Sequence, residues 1–349
     1  IGFYVHGLSN ADWDWMEANG INTVLTYTNG LKTEKMSNVT EGDLAQMRDF
    51  LDAAAAHNMK VFLSLKDLYD SKNKGVDNNG IVTTIVTAFR NHSALLGWYL
   101  NDEYKPDYIP QLEARYDNVS RLDPYHVSYS VEDTGKADTL KLYRKTSSVF
   151  GVDPYPWANA SLTPDLHAEV EEIVGLTTAF SGDDTVGLCT VFQVFSWAPF
   201  DCKKDAERCY DTWPPYEVMR AMSFLQPVLG SRGLVQYAYY TQFGYPGTMK
   251  PRSDPDVAAR LSDLARLSQQ LRAFADHAFL RQPTAVEVLD APTTSDGTKL
   301  VHAAHFADKH PADEEPNVAG ILIVVNGSNK PVQVRVAKSS STIQLELEA

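Results

Sequence analysis

Short apolar runs alternate with amphipathic stretches from Ile1 to about Ala275. The runs are rich in Val, Phe, Tyr or Leu and end at turn residues, as the buried strands of parallel sheets do. Eight runs are therefore predicted strands: Gly2–His6, Asn22–Tyr27, Lys60–Leu65, Leu95–Leu100, His126–Val131, Ser148–Val152, Val186–Phe195 and Leu234–Tyr240.

The segments between these runs show the apolar spacing of helices and contain sequences that are typical of helix starts. The segment Thr40-Glu41-Gly42-Asp43 has the form of a capping box ahead of a helix, and two other segments place proline in a first helical turn. The predicted helices are Leu44–His57, Asp107–Leu122, Leu166–Leu176 after Thr163-Pro164-Asp165, Tyr216–Leu229, and Val257–Phe274 after Asp254-Pro255-Asp256. Eight strand–helix units in about 275 residues predict a (β/α)8 barrel, an α/β fold. The alternative is a doubly wound open sheet, but no Gly-x-Gly-x-x-Gly motif follows any strand.

The pattern changes after Phe279, where short runs are separated by turn sequences such as Ser-Asp-Gly and Asn-Gly-Ser. This pattern predicts a small C-terminal antiparallel β-sandwich-like domain, residues 278–349, behind a barrel of residues 1–277. Because the tail contains no tryptophan, we expect a structural role for it rather than sugar binding. Its predicted strands are Val286–Leu289, Leu300–His305, Gly320–Val325, Val332–Val336 and Ile343–Leu347.

The amino-acid composition excludes some classes of binding partner. The 349 residues include 31 basic and 45 acidic side chains, which gives a net charge of −14 and argues against binding to nucleic acid or to an anionic membrane surface. No apolar stretch is long enough to span a bilayer. We expect a monomer that needs no cofactor.

The cysteines and the glycosylation sequons bear on the compartment. Cys189 lies in an apolar run and is predicted to pack in the interior, whereas Cys202 and Cys209 bracket a polar loop and are predicted to form a disulfide bond. Two free thiols in a cytosolic protein are the alternative. Five Asn-X-Ser/Thr sequons favour a secreted glycoprotein, and the strand-like start at Ile1 is expected for a chain whose signal peptide has been removed. The sequons begin at Asn38, Asn91, Asn118, Asn159 and Asn326.

In a (β/α)8 barrel, the carboxyl ends of the strands converge on one opening that carries the chemistry. Here those ends are acidic, amide-bearing and aromatic, with no His/Cys metal cluster, no phosphate-binding glycine loop and no serine-nucleophile elbow. Carboxylates beside exposed rings suit sugars, because rings stack on pyranose C–H faces while carboxyl groups move protons. The candidate substrate-binding residues are Asn101, Tyr155, Trp157, Trp197, Tyr239, His6, Asp67 and Tyr27.

The strand ends also resemble those of a known superfamily. Gly97-Trp98-Tyr99-Leu100-Asn101-Asp102-Glu103 is similar to the fourth-strand acid/base segment of clan A glycoside hydrolases. Asp153-Pro154-Tyr155-Pro156-Trp157 resembles their sixth-strand region, and the segment from Thr190 to Trp197 resembles the seventh strand, which normally carries a nucleophilic glutamate. The resemblance covers the barrel and implies that Glu103 is a general acid acting on a carbohydrate.

One position departs from that pattern, since the seventh strand has Gln193 where a glutamate is expected. Three explanations are open. The substrate's own 2-acetamido group attacks, Asp153 replaces the missing nucleophile or base, or Gln193 stands in place of a native glutamate.

The predicted catalytic set is therefore Glu103, Asp153, Gln193 and Asp102, with a raised pKa at Glu103 from burial and from the neighbouring Asp102. Asp102 as a loop anchor and Asp153 as a turn cap are the structural alternatives. For Tyr155 and Trp157 the alternative is core packing. At the level of function, the alternatives are an inactive carbohydrate-binding barrel and a lyase or transglycosylase on the same scaffold.

Overall fold

The computed structural model describes residues 1–27, 39–70, 76–77, 79–157, 166–197, 213–244, 249–278, 284–295, 297–307, 320–328, 330–338 and 341–347. The predicted Cys202–Cys209 bond, the helix start at Thr163-Pro164-Asp165 and the sequons at Asn38 and Asn159 lie outside these residues. Asn91 is exposed in the turn after a helix, while Asn118 and Asn326 are half-buried. Secretion and glycosylation stay predictions.

Eight parallel strands form a closed barrel in which each strand pairs with its neighbour in sequence and the last pairs with the first. This confirms the predicted (β/α)8 fold. The strands are β1 Gly2–Val5, β2 Thr23–Thr26, β3 Lys60–Ser64, β4 Leu95–Asp102, β5 Val127–Glu132, β6 Val149–Val152, β7 Gly187–Gln193 and β8 Gly233–Tyr237.

Two strand ends differ from the predicted ones in ways that matter for the opening. β4 continues two residues past Leu100 to Asp102, with a register irregularity against β5 between Tyr99 and Asn101. β8 stops at Tyr237, and a 3-10 turn, Tyr240–Phe243, follows it. The apolar runs therefore predict where each strand lies. The exact end of a strand depends on its hydrogen bonds to the two adjacent strands, which the runs do not show.

The helices surround the barrel, and several begin at the predicted signals. Thr40 Oγ1 accepts a hydrogen bond from the Asp43 N–H while Asp43 Oδ2 accepts one from the Thr40 N–H, which confirms the capping box. Pro255 is the first residue of the last helix, as predicted. The helices are α1 Asn10–Ala18, α2 Glu41–Ala56, α3 Asn79–Phe89, α4 Ile109–Leu122, α5 Ala137–Leu140, α6 His167–Ala179, α7 Tyr216–Val228 and α8 Pro255–Ala278.

The barrel interior is unusual in its share of phenol groups. The side chains of Tyr4, Tyr99 and Tyr129 are fully buried inside the barrel, beside aliphatic residues. The hydroxyl groups of Tyr4 and Tyr99 lie 3.1 Å apart. Buried hydroxyl groups need partners, so these phenols form a polar layer within the core. The Tyr99 hydroxyl donates to Asp102 at the carboxyl end of β4, and the Tyr129 hydroxyl donates to the Cys189 carbonyl on β7 at 2.7 Å.

The C-terminal residues form two three-stranded antiparallel sheets. Val288, Val301, Val334 and Val336 are buried between them, as the prediction of a small β-sandwich-like unit requires. The strands are β9 Thr284–Ala285, β10 Glu287–Leu289, β11 Val301–Ala307, β12 Gly320–Asn326, β13 Val332–Lys338 and β14 Ser341–Leu347. The exact division at residues 277 and 278 stays a prediction.

Two further features bear on the sequence predictions. Cys189 is half-buried on β7 and has no disulfide partner among the described residues. None of the helices in the described ranges combines the length and the apolar character that crossing a membrane requires.

Candidate active site

A pair of carboxyl groups lies at the opening formed by the carboxyl ends of the strands. Glu103 directly follows β4, and its backbone N–H donates to the Val131 carbonyl at 2.9 Å, which holds it against β5. Its φ of 59° lies in the left-handed region that non-glycine residues rarely adopt. Asp153 follows β6, and the two carboxyl groups share a hydrogen bond.

The surroundings of the pair raise the pKa of both carboxyl groups. Glu103 is exposed at the rim of the opening, but the protein around its carboxyl group displaces water and raises its pKa. The hydrogen bond with Asp153 opposes this shift, and the negative charges of Asp102 and Asp133 add to it. Asp153 is 8% exposed, and burial followed by the charge of Glu103 raises its pKa well above the usual range. Because the pKa of Asp153 is raised more strongly, Glu103 is the group that loses its proton first, and Asp153 then donates a hydrogen bond to the Glu103 carboxylate.

Asp102 is in a different environment, although it adjoins Glu103 in sequence. Its Oδ1 accepts a hydrogen bond from the Tyr99 hydroxyl, and its Oδ2 lies 3.0 Å from Lys66 Nζ. The Asp102 carboxylate is thus surrounded by donors and by a positive charge, which offset the cost of its burial.

Lys66 places a positive charge in the opening. Its Nζ also lies 3.0 Å from Asp67 Oδ1 and 4.1 Å from the centre of the Tyr27 ring. Burial alone would lower the pKa of Lys66, but the charges of Asp102 and Asp67 raise it, so the side chain stays charged. Lys66 was not among the predicted site residues, although its position at the end of β3, next to Asp67, was a usable signal.

Asn101 and Glu132 join β4 to β5 behind the opening. The fully buried Asn101 amide donates from Nδ2 to Glu132 Oε1 at 2.5 Å, and its Oδ1 accepts the Tyr104 N–H at 3.2 Å. Burial raises the pKa of Glu132 well above the usual range. The Asn101 amide, predicted to bind substrate, is here engaged in contacts within the protein.

Gln193 ends β7 and is fully buried. Its Oε1 accepts the Trp157 N–H at 2.8 Å, and its Nε2 donates to the carbonyl groups of Trp157, at 2.8 Å, and Phe195, at 3.1 Å. Both N–H groups of the amide are therefore used. The side chain fastens the segment after β6 to the end of β7 instead of presenting a group to the opening.

Aromatic rings line the opening on the side of β1, β2 and β8. The rings of Tyr155 and Tyr237 lie 5.7 Å apart, those of Tyr27 and Tyr237 5.6 Å apart, and those of His6 and Tyr240 4.2 Å apart. These side chains are half-buried, so each keeps part of its surface accessible. Tyr237 was missed by sequence reasoning, but strand alternation from the interior residue Val235 would have placed it on the inner face.

Three other predicted aromatic residues lie at varying distance from this wall. Trp197 is half-buried and its ring lies 6.0 Å from that of Tyr155. Trp157 is 5% exposed and Tyr239 1% exposed, so neither offers a ring face for stacking in this arrangement. The Tyr239 hydroxyl donates to Asp12 Oδ1 at 2.8 Å, on the outer side of β8.

Within the described ranges, no group of three or more His, Cys, Asp or Glu side chains is arranged to hold a metal ion. What the opening assembles is a hydrogen-bonded carboxyl pair, a separate carboxylate held by donors, and a wall of tyrosine rings.

Comparison with solved structures finds many barrels of this kind. A glycoside hydrolase family 5 protein from Bacteroides vulgatus superposes with a TM-score of 0.60 at 13% identity, over 94% of this chain and 74% of that one. A β-galactosidase from the psychrophilic Marinomonas ef1 gives 0.58 at 12%, over 79% and 60%. The exo-β-1,4-mannosidase Op5Man5 from Opitutaceae bacterium strain TAV5 gives 0.54 at 14%, over 80% and 60%.

At such identities the likeness shows the fold alone. The chain shares the (β/α)8 barrel of these proteins. The chain spans 60% of the length of the Marinomonas enzyme and 54% of a β-galactosidase from Rahnella sp. R3. No family model and no curated protein sequence matches it.

Proposed function

We propose that this protein is a secreted glycoside hydrolase that cleaves O-glycosidic bonds of an oligosaccharide or polysaccharide, with Glu103 as general acid. The observation that carries the proposal is the hydrogen-bonded Glu103–Asp153 pair, which lies at the carboxyl ends of the strands among tyrosine rings. The solved glycoside hydrolases with the same barrel support it.

The role of Glu103 follows from its environment. A general acid must hold a proton at the working pH, and the raised pKa of Glu103 meets that requirement. When Glu103 gives its proton to the departing sugar oxygen, it becomes a carboxylate. The proton of Asp153, donated in a hydrogen bond, then stabilises that carboxylate, so Asp153 acts as the partner of Glu103.

The same hydrogen bond argues against Asp153 as the nucleophile. The carboxyl groups that flank the sugar in retaining enzymes are about 5–5.5 Å apart, and those of inverting enzymes are farther apart. Groups that share a hydrogen bond leave no room for a sugar between them. Two other groups could meet the oxocarbenium-like centre: the negatively charged Asp102 carboxylate, or the neutral carbonyl oxygen of a 2-acetamido group on the substrate.

A binding protein that holds glycans without cleaving them is the second candidate. The observation that favours it is Gln193, because the seventh strand presents an amide engaged with Trp157 and Phe195 instead of a carboxylate. Such a protein would bind oligosaccharides and release no product from any of them.

Replacing Glu103 with glutamine tests the proposal. On a panel of chromogenic glycosides and polysaccharides, we expect Glu103→Gln to lower turnover by about 10²–10⁴-fold, the usual contribution of a general acid. Wild-type activity should fall as the pH rises through the raised pKa of Glu103, because the acid then loses its proton. Activity restricted to substrates with a 2-acetamido group would identify that group as the nucleophile.

Glu287→Gln is the matched control, since Glu287 is exposed on β10 in the C-terminal sheets. It should leave turnover unchanged, and circular dichroism should show the same fold for both variants. Wild-type turnover in Glu103→Gln would refute the assignment of Glu103. Binding without cleavage by the wild-type protein would favour the second candidate.

A further inference from the structure

A side cavity of about 270 Å³ opens next to the barrel opening, between the segment after β1 and the segment after β8. His6, Gly7 and Ser9 line one side of it, and Tyr240, Phe243 and Arg252 line the other. The carboxyl groups of Glu103 and Asp153 do not reach it, so the proposed acid chemistry leaves this space unused.

The side cavity and the opening share a wall. His6 and Tyr240 line the cavity, and their ring centres lie 4.2 Å apart. On the other side of this wall, the His6 ring lies 5.6 Å from that of Tyr27, and the Tyr240 hydroxyl donates to the Tyr237 hydroxyl at 2.9 Å. The cavity therefore adjoins the opening across the wall that His6 and Tyr240 form.

The guanidinium group of Arg252, on one side of the cavity, is held in a fixed position by its hydrogen bonds. Arg252 donates from Nε and Nη2 to Asp12 Oδ1, at 3.2 and 2.7 Å, and it also bonds the Tyr239 hydroxyl. Its guanidinium lies 5.6 Å from the centre of the Phe243 ring. Since Asp12 and Tyr239 fix Nε and Nη2, the Nη1 group is held in place, and among the described residues it has no hydrogen-bond partner.

The charges of the lining indicate what kind of unit fits. Arg252 and Asp12 neutralise each other as an ion pair with 2.7 Å between Nη2 and Oδ1. Burial, and then the charge of Lys66, lowers the pKa of His6, so this side chain adds no positive charge at neutral pH. With no net positive charge, the cavity offers hydrogen bonds to hydroxyl groups and ring faces to C–H faces.

We propose that the side cavity is a second sugar subsite, which holds one neutral pyranose unit of the same substrate whose bond is cleaved in the opening. The proposal rests on the proposed function and deepens it, because it makes the substrate a neutral chain of at least two sugars. Arg252 Nη1 donates to a hydroxyl group of that unit, and the Tyr240 and Phe243 rings contact its C–H faces.

Gly7 gives a direct test, because a Cβ added there meets no atom within 4 Å. Gly7→Trp introduces a bulky ring at the lining of the cavity, from a position where the side-chain attachment is unobstructed, and is intended to block it. Gly7→Ala is the matched control, because it adds only a methyl group. We expect wild-type kcat/KM to rise about tenfold or more from an aryl monoglycoside to the neutral oligosaccharides of the same sugar, as contacts at an added subsite give. Gly7→Trp should abolish that rise and leave the monoglycoside rate unchanged, while Gly7→Ala should retain both.

A rise with length that survives in Gly7→Trp would overturn the proposal, as would a preference of the wild-type protein for uronic-acid or sulfated oligosaccharides. Direct binding separates this proposal from the proposed function. Calorimetric titration of Glu103→Gln with neutral disaccharides to tetrasaccharides of glucose, mannose, galactose or N-acetylglucosamine requires no turnover. Tighter binding of longer chains that Gly7→Trp removes would support the subsite even if no glycoside were cleaved, and absent or length-independent binding would refute it.

Discussion

Three carboxyl sites in this protein have different environments. Asp102 faces a lysine and the Tyr99 hydroxyl, and the buried Asp153 is hydrogen-bonded to Glu103. Glu169 on α6 is fully buried outside the opening, where its Oε1 accepts from Gln226 Nε2 at 3.1 Å. The Glu169 Oε2 atom has no partner among the described residues. Burial, with a smaller contribution from Glu172, raises the pKa of Glu169 to about 8.

Glu169 should make the folded protein less stable at alkaline pH. The folded state holds this proton more tightly than the unfolded chain, so the free energy of unfolding falls as the pH rises from about 4.5 towards 8, by about 1.4 kcal/mol per pH unit. Glu169→Gln removes the ionisation and should be the more stable form at pH values above 8. Urea unfolding at acidic and alkaline pH measures the difference.

The neighbouring Glu171, with a side chain 56% exposed, supplies the control variant Glu171→Gln, which should leave the pH dependence in place. An equally steep loss of stability with pH in Glu169→Gln would contradict the assignment to this residue.

Sequence reasoning at the residue scale found the acidic groups of the opening but not their partners. Glu103, Asp102 and Asp153 were predicted because they follow apolar strands, and that is a local signal. Gln193 and Trp157, which contact each other, are 36 residues apart in sequence, so no local pattern predicts the contact. Likewise the burial of Trp157 and Tyr239 depends on the packing of neighbouring segments, which composition alone does not determine.

At the scale of elements, one close contact fixes the segment after β5, which carries Asp133 at the opening. A Cβ added to Gly175 on α6 would lie 1.5 Å from the Gly135 carbonyl oxygen, and one added to Gly135 would lie 2.2 Å from the Cα of Glu172. Two glycines thus allow this segment and α6 to touch backbone to backbone. The helix pattern of residues 166–176 was visible in the sequence, but the reason for a glycine inside it was not.

Gly175→Ala should disrupt this contact. Because the new methyl group would overlap the backbone of Gly135, helix and segment must move apart, and we expect a loss of about 1–3 kcal/mol in the free energy of unfolding. A lower activity should accompany it, since Asp133 contributes to the raised pKa of Glu103. Thermal unfolding and a pH–activity profile measure the two effects.

A second helical glycine provides the comparison. A Cβ at Gly42 on α2 would meet only Thr40 Oγ1, at 3.6 Å, so Gly42→Ala should stabilise the protein by up to about 1 kcal/mol. Equal effects of the two substitutions would mean that the contact between Gly135 and Gly175 is unimportant.

At the scale of the whole molecule, the C-terminal sheets share a core with the barrel helices. Phe306 on β11 is fully buried, and with Ala304 and Val325 it belongs to the same apolar cluster as Phe224 and Leu225 of α7. The Leu166 N–H also donates to the Gly327 carbonyl at 2.8 Å. The periodic patterns that predicted the barrel and the β tail are local, whereas this shared core depends on residues far apart in sequence.

Phe306→Ala should therefore destabilise the barrel and the C-terminal sheets together. Removing a fully buried phenylalanine costs about 3–5 kcal/mol, and calorimetry should show one unfolding transition moved to lower temperature. Ile343→Ala is the control, because Ile343 on β14 is 45% exposed. Two separate transitions in Phe306→Ala, with the larger one unmoved, would show that the sheets unfold on their own.

The amide of Gln193 has a consequence for anyone who wishes to engineer a conventional retaining enzyme from this scaffold. Its Nε2 donates to two carbonyl oxygens, and a glutamate in its place would direct an acceptor at each of them. A carboxylate at position 193 would be protonated or would expel the Trp157 segment. To install a nucleophile at the end of β7, the segment after β6 must therefore be redesigned first. The new segment has to offer hydrogen-bond donors, instead of carbonyl oxygens, to the carboxylate.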